Sequence, residues 1–130
     1  MQRVRGIGGV FFKAKDPAAL SAWYKNVLGL SVESWGGAVF RWSELDTKGA
    51  ATVWSPFNEN TSHFAPSQKP FMLNFVVDDL DAMLAQLRAA GAVVDDKVSD
   101  DFNGRFGWFL DPEGNRIELW QPKEKESASQ

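Results

Sequence analysis

The sequence has no cysteine and only one histidine among its 130 residues. Without cysteine, a disulfide framework, a thiolate metal site and a cysteine nucleophile are all excluded. A single histidine leaves little scope for imidazole-based metal or acid–base chemistry. No apolar run reaches the roughly 18 residues of a membrane span, so we expect no membrane partner. Residues 1–9 lack the apolar stretch of a signal peptide, which predicts a cytoplasmic protein.

The charge of the chain is slightly acidic, with a formal net charge of -3 and a pI of about 5.1. Its basic residues are scattered singly, and nucleic-acid binding needs a clustered basic face, so we expect no nucleic-acid partner. Aromatic residues are abundant, with six Trp and ten Phe. Such side chains have large burial energies and also line ligand pockets.

Two halves of the chain show the same pattern, in which a strand is followed by a helix and three further strands. The first half covers residues 1–57 and the second covers residues 70–122. A polar linker is predicted at residues 58–69, and the charged residues 123–130 predict a flexible tail. The strands predicted after the helices are residues 31–35, 38–42 and 51–55 in the first half and 92–98, 105–110 and 116–121 in the second.

Local signals mark both helices. Asp16 is a predicted N-cap for the first helix, and Gly29 supplies the left-handed residue that ends it. In the second half, Asp78 or Asp79 is the predicted cap, and Gly91 ends the helix. The helix of each half therefore begins at an aspartate and ends at a glycine.

Three stretches of the sequence resemble the vicinal oxygen chelate superfamily, which includes glyoxalase I, extradiol dioxygenases and bleomycin-resistance proteins. They are KAKDPAALSAWYKNVLGL from Lys13, FVVDDLDAMLAQLRAAG from Phe75 and FLDPEGNRIELWQP from Phe109. The resemblance implies an α+β fold in which two βαβββ modules form a curved mixed sheet, an incomplete barrel with a concave cleft. It also implies a homodimer. Function stays open at this level, because the superfamily holds lyases, oxygenases, transferases, epimerases and binding proteins.

The resemblance also identifies four strand positions where metalloenzymes of the superfamily carry their ligands. In this sequence they are Gly9, Thr52, Met72 and Glu118. Glycine has no donor atom, threonine is a poor ligand, and methionine suits soft metals. One carboxylate cannot hold a divalent ion against water, so we expect no metal cofactor. A divalent ion held by Glu118 and His63 is the alternative.

Strand parity predicts which side chains share the open face of the sheet. The side chains at the alternate positions, which include Ile117 and Leu119, are nearly all apolar and should pack on the helices. The open face then combines aromatic side chains with a few polar groups, which is typical of a small-molecule pocket. The predicted ligand-binding residues are Phe11, Lys13, Thr52, Trp54, His63, Met72, Asn74, Glu118 and Trp120.

Two of these residues have alternative interpretations. Glu118 either pairs within the sheet with a cation such as Lys13 or Arg116, or contacts a ligand and acts as an acid or base. His63 is either an exposed linker residue or part of a lid over the face.

Three functions compete at this point. The first is a glyoxalase/bleomycin-resistance-like protein that binds a small aromatic or cationic molecule without the divalent metal, through stacking and cation–π contacts. The second is a glyoxalase-like lyase, isomerase or dioxygenase in which Glu118 is the catalytic acid/base or a metal ligand. The third is a structural or regulatory dimer with no ligand.

Overall fold

The computed structural model describes residues 2, 7, 9–44 and 49–123. Its elements are the helices α1 (Pro17–Leu28) and α2 (Leu80–Ala89), a 3-10 turn at Trp42–Glu44, and the strands β1 (Leu73–Val76), β2 (Val93–Val94), β3 (Ser99–Asp101), β4 (Gly104–Leu110) and β5 (Arg116–Pro122). In the part of the chain that is described, neither helix is long and apolar enough to cross a membrane.

The five strands form one mixed sheet. Its order is β1–β5–β4–β2, with β3 also paired to β4. β1 runs parallel to β5, and the other pairs are antiparallel. Within residues 2, 7, 9–44 and 49–123 the sheet is open and does not close into a barrel, which confirms the predicted α+β class with an open mixed sheet.

Both helices begin at the predicted caps. The Asp16 carboxylate accepts a hydrogen bond from the backbone N–H of Ala19 at 3.1 Å, and Asp79 accepts from Ala82 at 3.0 Å. α1 ends at Gly29, whose φ of 74° is the left-handed conformation that glycine adopts without strain.

The core lies between α2 and one face of the sheet. Its fully packed members are Leu80, Leu84, Leu87, Phe109, Ile117 and Leu119. Ile117 and Leu119 alternate with the outward side chains of β5, as the parity predicts. Burying one such side chain stabilises the fold by roughly 1.5–3 kcal/mol. α1 packs against this core through Trp23 and Val27.

The predicted strands of the first half do not form in the described residues. Residues 31–42 contribute only one isolated bridge, between Val32 and Ala38. Residues 51–55 join no strand, and Val53 is 72% exposed. A strand needs a neighbour to satisfy its backbone groups, and apart from that one bridge these segments pair with no strand among the described residues. In the part of the chain that the structure describes, the second half therefore forms a sheet with α2, whereas the first half forms α1, one 3-10 turn and one isolated bridge.

One predicted strand of the second half is divided. Residues 92–98 contain only β2, and β3 begins at Ser99. Between them, the Asp95 N–H donates to the Trp108 carbonyl at 2.9 Å, and the Asp95 carboxylate accepts from the Lys97 N–H. This local side chain–backbone bond favours a turn over a continuous ladder.

The turn between β4 and β5 attaches α1 to the sheet. The buried Asp111 carboxylate accepts a hydrogen bond from the Tyr24 hydroxyl at 2.8 Å. Burial, followed by the adjacent Asp111 charge, raises the pKa of Tyr24 far above its ordinary value. The Glu113 carboxylate accepts from the backbone N–H groups of Asp16 and Lys15, at 2.9 and 2.7 Å. These two bonds hold the pKa of Glu113 below its usual range.

Candidate functional site

Glu118 stands at the centre of β5 and has a polar neighbour on each side. It pairs in register with Asn74 on β1 and with Trp108 on β4. Side chains that are directly opposite across two strands lie on the same face of a sheet. The three side chains therefore meet on the face away from the α2 core.

Three donors converge on the Glu118 carboxylate. Oε1 accepts a hydrogen bond from Asn74 Nδ2 at 2.7 Å, and Oε2 accepts one from Trp108 Nε1 at 2.9 Å. His63 Nε2 lies 3.1 Å from the same Oε2. The Glu118 side chain is only 13% exposed. A carboxylate in such a setting needs hydrogen bonds on both oxygens, and this one has them.

His63 reaches this carboxylate from the linker at residues 58–69. Its ring is stacked on Phe57, with centroids 5.4 Å apart and planes 8° apart. It also meets Trp108 edge-on at 6.1 Å. A second contact holds the linker nearby, because Arg116 Nη1 donates to the Ala65 carbonyl at 2.7 Å. The structure thus places the His63 ring against Glu118, on the open face of the sheet.

Two cations lie on Trp108. The Arg116 guanidinium is 5.1 Å from the ring centroid and the Lys97 ammonium is 5.8 Å from it. Arg116 also approaches the Asp95 carboxylate at 3.5 Å. Arg116 therefore contacts an aromatic ring, a carbonyl and Asp95 in place of the predicted pairing with Glu118.

Phe106 and Trp120 form a parallel aromatic pair beside the Glu118 cluster. They are in register on β4 and β5, with ring planes 1° apart and centroids 6.1 Å apart. Trp120 Nε1 donates to the Asn103 carbonyl at 3.0 Å, which orients its ring. Both side chains are half-buried, so part of the pair faces solvent. We call these two residues the aromatic platform.

Four of the nine predicted site residues lie together on this face. His63, Asn74 and Glu118 form one hydrogen-bonded cluster, and Trp120 lies on the same face. Met72 is half-buried just before β1. The other four predicted residues do not reach the cluster, because the segments that carry them join no strand. They are Phe11, Lys13, Thr52 and Trp54, all exposed, with Phe11 at 95% and Trp54 at 79%.

Sequence reasoning missed the parts of the site that depend on strand register. The turn at residues 111–115 aligns β4 with β5, and this alignment pairs Trp108 with Glu118 and Phe106 with Trp120. A count outward from that turn could have found both. No comparable signal exists for Phe57, whose contact with the site runs through the His63 ring.

The residues at the four family positions do not fit a divalent metal. Gly9 has no side-chain donor, and Thr52 is exposed outside the sheet. Both Glu118 oxygens already accept bonds from protein donors. Across the described residues, no three or more His, Cys, Asp and Glu side chains are grouped to hold an ion. The His63–Glu118 pair alone would leave an ion short of ligands.

A cavity of about 310 Å³ lies apart from this face, on the core side of the sheet. Its walls come from both halves and include Phe40 from the first half, Phe75 after the start of β1, and Met83 from α2. It follows the free edge of β1, where the sheet has no further strand among the described residues. The incomplete first half therefore leaves a gap next to the core.

Comparisons with known proteins identify the family. The sequence profile of the family described as "Glyoxalase-like domain" matches residues 9–120. Among solved structures, a protein of unknown function from Agrobacterium tumefaciens str. C58 is 22% identical and has a TM-score of 0.58, with 95% of this chain and 98% of that chain covered. This likeness supports the fold. A search of curated proteins found no match.

Two further solved structures match less of the fold. TnmS3, an antibiotic binding protein from Streptomyces sp. CB03234, is 38% identical over 42% of this chain and 45% of its own, with a TM-score of 0.38. The match thus spans less than half of TnmS3. TioX from Micromonospora sp. ML1 is 19% identical over 88% of this chain and 94% of its own, with a TM-score of 0.49. Because the family profile spans most of the chain and the sheet is of the expected class, this protein belongs to the glyoxalase-like family of the vicinal oxygen chelate superfamily.

Proposed function

We propose that this protein binds a small aromatic or cationic molecule on the open face of its sheet, without a divalent metal. The observation that carries the proposal is the placement of the partly exposed aromatic platform beside one ordered carboxylate, Glu118, to which the buried Trp108 donates. Ring faces supply stacking and cation–π attraction, and a few fixed polar groups orient a ligand. The proposal of metal independence rests on the donor set at Gly9, Thr52, Met72 and Glu118, which does not fit such an ion.

The geometry favours binding over acid–base catalysis. A general base must present a free lone pair to the proton that it removes. Three protein donors already bond to the Glu118 oxygens, and a carboxylate offers about four lone-pair directions, so only one direction, on Oε1, remains. Catalysis by Glu118 would therefore depend on this one remaining direction, whereas binding on the rings uses no lone pair of Glu118.

We also propose that the protein is a homodimer, as the superfamily resemblance implies. The free edge of β1 and the exposed apolar side chains of the first half, such as Val53, support this proposal. Light scattering coupled to gel filtration should give twice the mass of one chain. A mass of 14.5 kDa at micromolar concentration would contradict the dimer.

Binding on the platform is tested by tryptophan fluorescence. Naphthalene-based probes, one neutral and one cationic, should quench the emission of the wild-type protein in a saturable way. Trp120→Ala and Phe106→Leu should each weaken this binding by roughly tenfold, because each removes one ring of the platform. Trp35→Ala is the matched control, since Trp35 is an exposed tryptophan outside the site. EDTA should leave the affinity unchanged.

Two results would overturn the proposal. The first is the absence of saturable quenching of the wild-type protein by either probe. The second is an affinity that disappears in EDTA and returns with added Zn²⁺ or Ni²⁺. That second result would also favour the enzymatic alternative with a metal bound at Glu118.

A further inference from the structure

The contacts of the His63 ring indicate what kind of ligand the site binds, provided that the proposed function is correct. We propose that the His63 imidazole is an internal substitute for the ligand. The ligand would be a flat aromatic cation with an N–H donor, and it would displace His63 from the Glu118 carboxylate.

Three contacts define the position of the imidazole. Phe57 covers one ring face, nearly parallel at 8°, and Trp108 meets the ring at 89°. The ring nitrogen Nε2 lies 3.1 Å from Glu118 Oε2, and an ionised carboxylate can only accept, so Nε2–H is the donor. A flat face, an edge contact and one N–H bond to a carboxylate together select a planar nitrogen-containing ring.

The imidazole is also placed so that it can be exchanged. Its side chain is 37% exposed, in contrast to the nearly buried Glu118 beneath it. The linker that carries it forms turns and no strand, so no ladder of backbone bonds fixes its position on the sheet. If His63 withdraws, Trp108 remains as the donor to Oε2 and a second acceptor direction becomes available.

Charge at this position favours a cation in the imidazole's place. Glu118 faces the ring directly, and a cationic N–H donor forms a stronger bond to a carboxylate than a neutral one. The cations nearby are Arg116 and Lys97, both placed on Trp108, and Arg116 is also near Asp95. If these two cations dominated, the site would prefer an anion. The charge of the preferred ligand therefore shows whether Glu118 or the two cations dominate the site.

The test uses three probes with the same ring and different charge: benzamidine, benzyl alcohol and benzoate. Their affinities are measured by calorimetry or fluorescence for the wild-type protein and for His63→Ala. Asn60→Ala is the matched control, because Asn60 is an exposed linker residue whose side chain is outside the ring contacts. Benzamidine should bind His63→Ala about tenfold more tightly than the wild-type protein or Asn60→Ala. Benzyl alcohol and benzoate should change by less than about twofold.

Imidazole itself gives a second readout that does not depend on the choice of probe. Added to His63→Ala near pH 6, it should raise the melting temperature of this variant more than that of the wild-type protein or Asn60→Ala, because it refills the vacated position. Adding Glu118→Gln to His63→Ala should abolish both the gain for benzamidine and the effect of imidazole.

The possible outcomes separate this inference from the proposed function. Equal benzamidine affinity in the wild-type protein and His63→Ala overturns the substitution by His63, while binding that still depends on Trp120 upholds the platform. A gain for benzoate in His63→Ala overturns the cationic ligand. If no aromatic probe binds any variant, the proposed function fails and the inference fails with it.

Discussion

The two halves of this chain have similar sequence patterns and different structures. In the second half, every predicted element is present in some form, and the strands from β1 to β5 make one sheet. In the first half, α1 forms, while the segments around Val53 and Trp54 remain exposed. Alternation and turn residues are present in both halves. Strand formation thus depends on a neighbouring strand as well as on the local pattern.

The first half is nevertheless attached firmly at one end. Tyr24, Glu113 and Asp111 connect the beginning and middle of α1 to the turn after β4. Apolar contacts of Trp23 with Phe109 add to this attachment. The comparison is therefore between a half that forms the core and a half that is joined to it by hydrogen bonds of α1 and of the two residues before it.

The largest difference between the halves should appear in the free energy of unfolding when one buried and one exposed side chain are truncated. Leu119→Ala removes a fully buried side chain and should lower the free energy of unfolding by about 3 kcal/mol. Val53→Ala removes an exposed one and should change it by less than about 0.5 kcal/mol. Urea unfolding followed by far-UV circular dichroism measures both. If Val53→Ala costs as much as Leu119→Ala, residues 51–55 pack in solution and the contrast between the halves is wrong.

The attachment of α1 should depend on one buried hydrogen bond. Tyr24→Phe leaves the Asp111 carboxylate without its hydroxyl donor and should cost about 1–2 kcal/mol in the same assay. Ser21→Ala is the control, because the bond from Ser21 Oγ to the Gly36 carbonyl is exposed and should contribute less than about 0.5 kcal/mol. A Tyr24→Phe protein as stable as the wild type would show that the bond to Asp111 does not contribute to attaching the helix.

Acid should weaken the same attachment through Glu113. The pKa of Glu113 is lower in the folded protein than in the unfolded chain, because the N–H groups of Asp16 and Lys15 bond to its charged form. Its contribution to stability is therefore complete above the unfolded pKa and is lost as the pH falls through the folded pKa. Glu113→Gln should flatten the pH dependence of the melting temperature in this acidic range. A profile parallel to the wild type would contradict the role of Glu113.

Local signals in the sequence were sufficient for the elements that depend on local chemistry. Asp16 and Gly29 place the ends of α1 correctly, because capping involves residues within one turn of the helix. Strand parity was sufficient to predict that Asn74 and Glu118 lie on the same face of the sheet, because alternate side chains of a strand share one face.

Contacts between distant segments could not be predicted in the same way. His63 and Glu118 are separated by 55 positions, and the linker has no periodicity that fixes where it lies. The strands predicted at residues 31–35, 38–42 and 51–55 failed for a related reason. Their patterns were adequate, but a partner strand is a property of the whole assembly and is not encoded within the segment itself.

The hydrogen bonds that Glu113 accepts constrain substitution at one of the contacting positions much more than at the other. The carboxylate binds backbone N–H groups, which every residue except proline provides. Position 15 can therefore accept many side chains, while position 113 needs an acceptor of the correct length. A saturation mutagenesis survey should find one tolerant and one intolerant position in direct contact, and a covariation analysis of relatives would not recognise them as neighbours.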